Sequence, residues 1–221
     1  MGLWINKDTE IYCSFAEKAG NTGCQMMNTA FYYYGLNKIY KSFSVDSIED
    51  AVKSVKTLNI KGFAITMPYK TQVLECMGAQ DFCADYVVKI GAANTILNDN
   101  GILTAYNTDA YAAKTFLREY DNQKILYILG DGGYSKAVKW AAERTGFDIK
   151  SVTRDNWSDL RSIKSSIIYN CTPVDISNPM LQIDESNDMI NCLVKTETGK
   201  QLAKLQASKQ FELYTGLDFP L

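Results

Sequence analysis

The sequence predicts an α/β protein of two domains: an N-terminal domain with a mixed sheet and a second, shortened domain with a parallel sheet. Three observations support this prediction. Strand-like and helix-like segments alternate along most of the 221 residues. The turn sequence NDNG separates two strand-like segments, which is typical of an antiparallel hairpin. After Asp109, strands and helices alternate across short connections, which indicates parallel, right-handed α/β units.

The first domain combines both kinds of element, and we expect it to comprise residues 1–105 and 199–221. Apolar residues at helical spacing, capping residues and turn residues locate its elements. In chain order they are a helix over 28–36 ended by Gly35, the strand IYKSFSV, the helix SIEDAVKSVKTL, the strand KGFAITMPYK ended by Pro68, the helix TQVLECMGA and the hairpin strands ANTIL and ILTAYN. The final helix, TGKQLAKLQASKQFELYTG, ends at Gly216.

The second domain is expected over residues 106–198. Its elements in chain order are the helix DAYAAKTFLREY, the buried strand KILYILG, a helix with a glycine-rich entry, the strand DIKSVTRD, the connection LRSIKSS and the strand IIYNCTP. The segment SNPMLQIDESND predicts a loop. About three parallel strands are therefore expected, fewer than the six of a complete dinucleotide-binding fold.

Composition excludes several classes of function. The net charge is −2 with scattered cations, so no nucleic-acid partner is expected, and the start of the chain contains no long apolar run that would span a membrane. The six cysteines form no CxxC pair, which is typical of reduced thiols in a cytoplasmic protein. Histidine is absent, so proton transfer must use Lys, Asp, Glu, Tyr or Cys, and no metal site is expected.

A glycine-rich turn lies between the strand KILYIL and the helix SKAVKWAAE. Gly130, Gly132 and Gly133 lack a Cβ, so backbone N–H groups and the helix N-terminus can approach a pyrophosphate. Placement after a buried strand and before a helix favours a Rossmann-type dinucleotide site over a plain turn. Asp131 counts against this interpretation, because it adds a carboxylate to the loop.

The end of the next strand bears on the choice of dinucleotide. An acidic residue there would bind the ribose 2′-hydroxyl of NAD, whereas an arginine favours the 2′-phosphate of NADP. Arg154, which follows Thr153, therefore favours NADP, while the adjacent Asp155 leaves NAD as an alternative. Arg154 could also be a solvated residue at a strand end.

Three segments together resemble the shikimate dehydrogenase family: GFAITMPYK, GAANT followed by YNTD, and GKQLAKLQASKQFELYTG. In that family the first delivers a catalytic lysine, the second supplies an asparagine and an aspartate, and the third is a closing helix with a glutamine at the substrate cleft. The order and spacing match, with the glycine-rich turn between the second and third. EKAGNTGCQMMN resembles a divergent, shikimate dehydrogenase-like branch.

The resemblance implies a reversible, NADP-dependent hydride transfer between a 3-keto and a 3-hydroxy cyclohexene carboxylate, namely 3-dehydroshikimate and shikimate or a related compound. The implied partner is this small hydroxy-carboxylate, and the implied assembly is a monomer or homodimer. A lysine beside an aspartate can serve as the acid–base pair in a chain without histidine. The implied site residues are Lys70 and Asp109 for catalysis, Ser14, Thr66, Asn94 and Gln206 for the substrate, and Gly130, Gly132, Gly133, Thr153, Arg154, Thr172 and Gly199 for the cofactor.

Two features depart from the family pattern. The family offers two serines to the substrate carboxylate, but Ser14-Phe15-Ala16 retains only one, and Met27 replaces a customary histidine. The stretch over 173–199 is also much shorter than in the family. A non-catalytic relative that binds a small carboxylate or a protein partner is therefore the alternative function. An unrelated dinucleotide-fold enzyme, such as a methyltransferase, would leave GAANT and NTD unexplained.

Overall fold

The computed structural model describes residues 5–220 and divides the chain into two compact units. The first unit comprises Met1–Thr108 and Ala207–Leu221, and the second comprises Asp109–Gln206. The sequence predicted that the chain changes domain after residues 105 and 198. Both predicted boundaries lie slightly before the two points at which the chain passes between the units. Each crossing coincides with a helix: α4 (Thr108–Leu117) begins at the first, and α6 (Glu197–Thr215) runs through the second.

The first unit contains the expected mixed sheet. Its strands are β1 (Glu10–Ala16), β2 (Lys38–Ser44), β3 (Gly62–Ile65), β4 (Phe82–Cys83), β5 (Thr95–Asp99) and β6 (Ile102–Tyr106). Their order in the sheet is β2-β1-β3-β5-β6-β4. The hairpin of β5 and β6 is confirmed as antiparallel, β3 and β5 are also antiparallel, and β1 is parallel to both β2 and β3. The pair β4 and β6 is parallel.

The helices of this unit agree in part with the sequence prediction. α2 (Ile48–Thr57) begins as expected after Ser47, whose side chain accepts a hydrogen bond from the N–H of Asp50. α1 (Thr22–Tyr33) begins earlier than residue 28, and α3 (Asp85–Ile90) is short. The prediction of a helix at TQVLECMGA was wrong: only a 3₁₀ segment forms there, Gln72–Cys76.

Apolar side chains cover both faces of the first sheet. One face packs against α2, α3 and the 3₁₀ segment through a cluster that includes Phe15, Val55 and Phe63. The other face packs against α1 and the end of α6 through a cluster that includes Phe31 and Phe211. β1 lies at the centre, with both of its faces buried.

Asp81 anchors the connection that precedes β4. Its carboxylate accepts hydrogen bonds from the N–H groups of Gly78 (2.8 Å) and Leu103 (2.8 Å) and pairs with Lys56 (3.0 Å). Burial acts to raise the pKa of Asp81, but these hydrogen bonds and the Lys56 cation hold the pKa below its ordinary value. This carboxylate therefore ties the connection to the hairpin and to α2.

The second unit contains a parallel sheet of four strands, β7 (Leu126–Leu129), β8 (Ile149–Val152), β9 (Ile167–Asn170) and β10 (Asp188–Asn191). Their order in the sheet is β10-β9-β7-β8. The expectation of about three strands was wrong, because the end of the predicted loop continues into β10. A complete dinucleotide fold has the order 3-2-1-4-5-6. Among the described residues the strands that would occupy its third and sixth places are absent.

The two faces of this sheet are covered differently. α4, α5 (Gly133–Glu143) and the start of α6 bury one face through a cluster that includes Leu126, Val138 and Leu202. The opposite face is covered by the 3₁₀ segment Arg154–Ser162, which contributes Leu160. The segment expected to be a simple connection, LRSIKSS, thus lies partly within a 3₁₀ segment. A complete dinucleotide fold has helices on both faces of its sheet, whereas this face is covered by a 3₁₀ segment.

Candidate active site

Backbone hydrogen bonds join the segments GFAITMPYK, GAANT and YNT where β3 ends and β5 begins. The N–H of Ala93 donates to the carbonyl of Lys70 (2.8 Å), and the N–H of Ile65 donates to the carbonyl of Asn94 (2.8 Å). Asn94 donates its own N–H to the carbonyl of Tyr106 (3.1 Å). Segments that are distant in sequence therefore meet at one place in the fold.

The side chain of Asn94 is fixed by a buried polar network. Its Nδ2 donates to Thr108 Oγ1 (3.0 Å), and its Oδ1 accepts from the N–H of Thr108 (2.7 Å) and from the hydroxyl of Thr95 (3.0 Å). Gln210 Nε2 donates to Thr95 Oγ1 (2.8 Å). All four residues are almost completely buried. Because a backbone N–H binds Oδ1, the amide has one orientation, with Nδ2 as the donor to Thr108.

Sequence analysis did not identify Thr95, Thr108 or Gln210 as part of this site. The spacing along α6 could have indicated Gln210. It follows Gln206 by four residues, so the two side chains lie on the same side of the helix. Thr95 and Thr108 belong to the quoted motifs, but only the tertiary structure shows that they bind the same amide.

Ser14 lies in β1, and Thr66 directly follows the neighbouring strand β3. Ser14 is buried in β1, and its hydroxyl donates to Ser42 Oγ in β2 (2.9 Å). Thr66 follows β3 with an exposed side chain, and its N–H donates to the carbonyl of Phe15 (3.0 Å). Ala16 stands where the family pattern has a second serine. Ser42, which the sequence did not identify, places another hydroxyl beside Ser14.

The remaining substrate-site candidates divide between the units. Lys70 is half-buried and belongs to the first unit. Asp109 lies in the first turn of α4, is 5% exposed and belongs to the second unit, as does Gln206 on α6. Asp109 directly follows Thr108, so the backbone connects it to the Asn94 network.

The glycine-rich turn lies directly before the N-terminus of α5. Gly130 has φ +99°, its N–H donates to the carbonyl of Val152 (2.8 Å), and a Cβ there would lie 2.9 Å from Thr172 Cγ2. Gly132 is the N-cap of α5, where a Cβ would meet no atom within 4 Å. The space beside the N-terminus of α5, which begins at Gly133, is therefore open to an anion.

Three of the cofactor candidates lie at the same edge of the second sheet. Gly130 follows β7, Thr153 follows β8 and Thr172 follows Asn170 at the end of β9. Asn170 Oδ1 fixes Thr172 by accepting from its N–H (2.9 Å) and hydroxyl (2.7 Å). The strand order reverses between β7 and β9, and ligands of parallel α/β sheets bind at the carboxyl ends of such strands.

The charges around this edge are compatible with a nucleotide phosphate. Thr153 caps the 3₁₀ segment that follows β8. The side chain of Arg154 is exposed and forms no ion pair with any side chain in residues 5–220. Asp131, which counted against phosphate binding, forms an ion pair with Lys139 (3.1 Å). A cation therefore offsets the carboxylate in the turn.

Gly199 is explained by packing. It is buried at the start of α6, where any Cβ would collide with the carbonyl of Leu193, and its N–H donates to Thr196 Oγ1 (3.1 Å). This close approach requires glycine whether or not a cofactor lies nearby.

The described part of the chain contains neither a metal-binding cluster of side chains nor a membrane-spanning helix. Within residues 5–220, no group of three or more Cys, Asp or Glu side chains is arranged to hold a metal ion. In the same range, every helix is too short or too polar to cross a membrane.

Comparisons with known proteins give a consistent result. The family model described as the shikimate dehydrogenase substrate binding domain matches residues 22–96. A shikimate dehydrogenase-like protein of Haemophilus influenzae is 32% identical over 254 aligned positions, covering 96% of this chain and 92% of that protein. A shikimate dehydrogenase (NADP(+)) of Clostridium beijerinckii is 30% identical over 204 positions, covering 82% and 74%.

A solved structure has the same fold. The structure of a shikimate 5-dehydrogenase-like protein superimposes with a TM-score of 0.80 and 28% identity, covering 99% of this chain and 95% of that one. The match extends through both units, and the expected class of two α/β domains is confirmed. Signature segments, fold and relatives agree, and the chain belongs to the shikimate dehydrogenase family.

Proposed function

We propose that this protein is an NADP-dependent oxidoreductase that interconverts a hydroxyl and a ketone on a small cyclic hydroxy-carboxylate related to shikimate. One observation carries the proposal: hydrogen bonds hold the segments of Lys70, Asn94 and Thr108 together at the end of β3. Three groups hold the Asn94 amide in one orientation: the N–H and hydroxyl of Thr108 and the hydroxyl of Thr95.

The proposed chemistry assigns a separate task to each side chain. Asn94 donates to a ring hydroxyl, and Thr66 and Gln206 bind neighbouring hydroxyls. Ser14 binds the carboxylate. Lys70 accepts the proton of the reacting hydroxyl and returns it in the reverse direction, with Asp109 as its partner acid.

The residues at the edge of the second sheet fit a dinucleotide. A Cβ at Gly132 would meet no atom within 4 Å, which leaves room for the pyrophosphate at the N-terminus of α5. Gly130 and Gly133 complete the proposed phosphate turn. Arg154 is exposed at the end of β8 and can pair with a 2′-phosphate, which favours NADP over NAD. NADP(+) would supply the hydride acceptor when bound. The Clostridium beijerinckii relative, named as an NADP(+) enzyme, supports the same choice.

Steady-state assays test the proposal. Shikimate and quinate are each assayed with NADP(+) and with NAD(+), in the wild type, Lys70→Ala and the control Lys89→Ala, which replaces an exposed lysine of α3. We expect turnover with NADP(+), a loss of at least about a hundredfold in Lys70→Ala, and no change in the control. Undiminished turnover in Lys70→Ala would refute the assigned chemistry.

The shortened second sheet favours one alternative, a non-catalytic relative that binds a small carboxylate or a protein partner. Only four parallel strands form among the described residues. Calorimetric titration with NADPH distinguishes the two functions. Micromolar binding supports the oxidoreductase, and absence of binding at millimolar NADPH supports the alternative.

A further inference from the structure

Two serine hydroxyls form a pair on the first sheet. Ser14 in β1 and Ser42 in β2 are register partners, so their side chains lie on the same face, and their hydroxyl oxygens are 2.9 Å apart. Each serine is 8% exposed, so the pair is not sealed from solvent. The proposed function assigns Ser14 to the substrate carboxylate and gives Ser42 no task.

Two further groups contact the serine pair from within the fold. The hydroxyl of Tyr40 forms a hydrogen bond with Ser14. Burial raises the pKa of Tyr40 above its ordinary value, so this hydroxyl keeps its hydrogen at neutral pH. Cys24 Sγ, from α1, lies 3.1 Å from Ser42 Oγ and accepts from the N–H of Ser42 (3.2 Å). Each serine hydroxyl therefore has one neighbour that can donate to it.

The hydrogens of these four groups indicate the kind of ligand that the pair would bind. Each group carries one hydrogen. When Tyr40 donates to Ser14 and Cys24 donates to Ser42, both serine hydrogens are available to a further acceptor. An ionised carboxylate accepts at two adjacent oxygens and donates nothing, so it matches two adjacent hydroxyl donors. Hydrogen bonds to a carboxylate are roughly twice as strong as those between neutral groups, which favours turning both serines from each other toward such a ligand.

The register of the sheet relates the serine pair to the Asn94 network. Ser14 pairs with Ala64 in β3, and Ala64 pairs with Thr95 in β5, so these positions form one row on the same face. Thr95 donates to Asn94 Oδ1 (3.0 Å). Two strand spacings separate Ser14 from Thr95, which is roughly 10 Å between their Cα atoms. This distance suits a ligand that carries a carboxylate on one side of a six-membered ring and a hydroxyl on the other.

We propose that Ser14 and Ser42 together bind the carboxylate of the substrate, one oxygen each, with Tyr40 and Cys24 holding the two hydroxyls in the donating orientation. Ser42 is then a substrate-binding residue on the strand next to Ser14, and it contributes to the preference for an acid. The inference rests on the substrate class of the proposed function, but it does not require turnover.

Calorimetric titration of the full chain with shikimate tests the inference. NADPH is present throughout, because NADPH and shikimate are both reduced and do not react with each other. The methyl ester of shikimate is titrated in parallel, since it keeps the ring hydroxyls and lacks the negative charge. We expect Ser42→Ala to weaken shikimate binding about tenfold, equivalent to about 1.4 kcal/mol, and to change ester binding by less than about threefold.

Ser44→Ala is the matched control. Ser44 follows Ser42 by two residues in β2 and lies on the same face, and its exposed hydroxyl accepts from the N–H of Ala19 (3.0 Å). It should bind shikimate within about twofold of the wild type. Ser42→Thr keeps the hydroxyl and should stay within about threefold. If Ser42→Ala does not fold, Ser42→Cys keeps the shape with a weaker donor and should show the same selective loss of shikimate binding.

The possible results separate this inference from the proposed function. Unchanged shikimate binding in Ser42→Ala, or equal weakening of acid and ester, would overturn the inference alone. In an active enzyme, Ser42→Ala should raise KM about tenfold and leave kcat within about twofold, because the lost contact is the same in the ground state and the transition state. A wild type that binds shikimate without turnover refutes the oxidoreductase, while Ser42→Ala still decides the inference. A wild type that binds neither shikimate nor quinate overturns both.

Discussion

Removing the hydroxyl of Thr95 should destabilise the first unit, because that hydroxyl joins two buried amides. It accepts from Gln210 Nε2 (2.8 Å) and donates to Asn94 Oδ1 (3.0 Å). Thr95→Val keeps the shape of the side chain and breaks both bonds. Asn94 Oδ1 still accepts from Thr108, but Gln210 Nε2 loses this partner at a site that is 3% exposed.

The expected loss of stability follows from Gln210 Nε2, the buried donor that loses its hydrogen-bond partner. A buried polar group left without its partner costs about 1–3 kcal/mol, and a lost net hydrogen bond costs about 0.5–1.5 kcal/mol. We therefore expect Thr95→Val to lower the free energy of unfolding by about 2–3 kcal/mol. For a protein of this size each kcal/mol lowers Tm by roughly 2–4 °C, so Tm should fall by about 5–10 °C.

Thermal and urea unfolding measure this effect against two further variants. Thr104→Val is the matched control: it is a half-buried threonine of β6 whose hydroxyl makes no hydrogen bond within residues 5–220. Thr95→Ser retains the hydroxyl and should recover most of the lost stability. If Thr95→Val and Thr104→Val differ by less than about 0.5 kcal/mol, within the usual range for neutral surface changes, the network does not stabilise the unit.

Three other predictions concern the turn, the anchoring carboxylate and the cofactor. Gly130→Ala combines a φ of +99° with a 2.9 Å approach to Thr172, so we expect a loss of about 2–3 kcal/mol and weaker NADPH binding by calorimetry, whereas Gly132→Ala should cost less than 1 kcal/mol. Because the pKa of Asp81 is held below its ordinary value of 3.8, its contribution is complete above that pH and is lost as pH falls below it. Urea unfolding between about pH 6 and pH 3 should therefore show a steeper acid loss in the wild type than in Asp81→Asn. Arg154→Ala should weaken NADPH binding at least tenfold, about 1.4 kcal/mol, and leave NADH binding nearly unchanged.

Local signals were sufficient for many elements. The cap at Ser47 and the turn at NDNG fixed α2 and the hairpin, since both features depend on a few adjacent residues. β1 and β10 were missed for a different reason. β1 is buried on both faces and shows no alternation, while β10 carries Asp188 and Asn191 and is a strand only because it pairs with β9.

The residues of the candidate site also divide into those that short sequence motifs identify and those that only contacts in the fold reveal. Sequence motifs identified Lys70, Asn94 and the glycine-rich turn as candidates, because each motif combines particular residue types in a short ordered segment. The partners of Asn94 could not be named from sequence, since Gln210 reaches Thr95 across 115 positions of the chain.

The sequence by itself determined the family, the two α/β domains and the types of residue available for catalysis, above all by lacking histidine. These properties are local or compositional, so they need no knowledge of contacts. The tertiary structure alone decided that Ser42 lies beside Ser14, that Lys139 pairs with Asp131, and that Tyr134 meets Tyr169. Each of these depends on distances between side chains on separate elements or turns, and packing sets such distances.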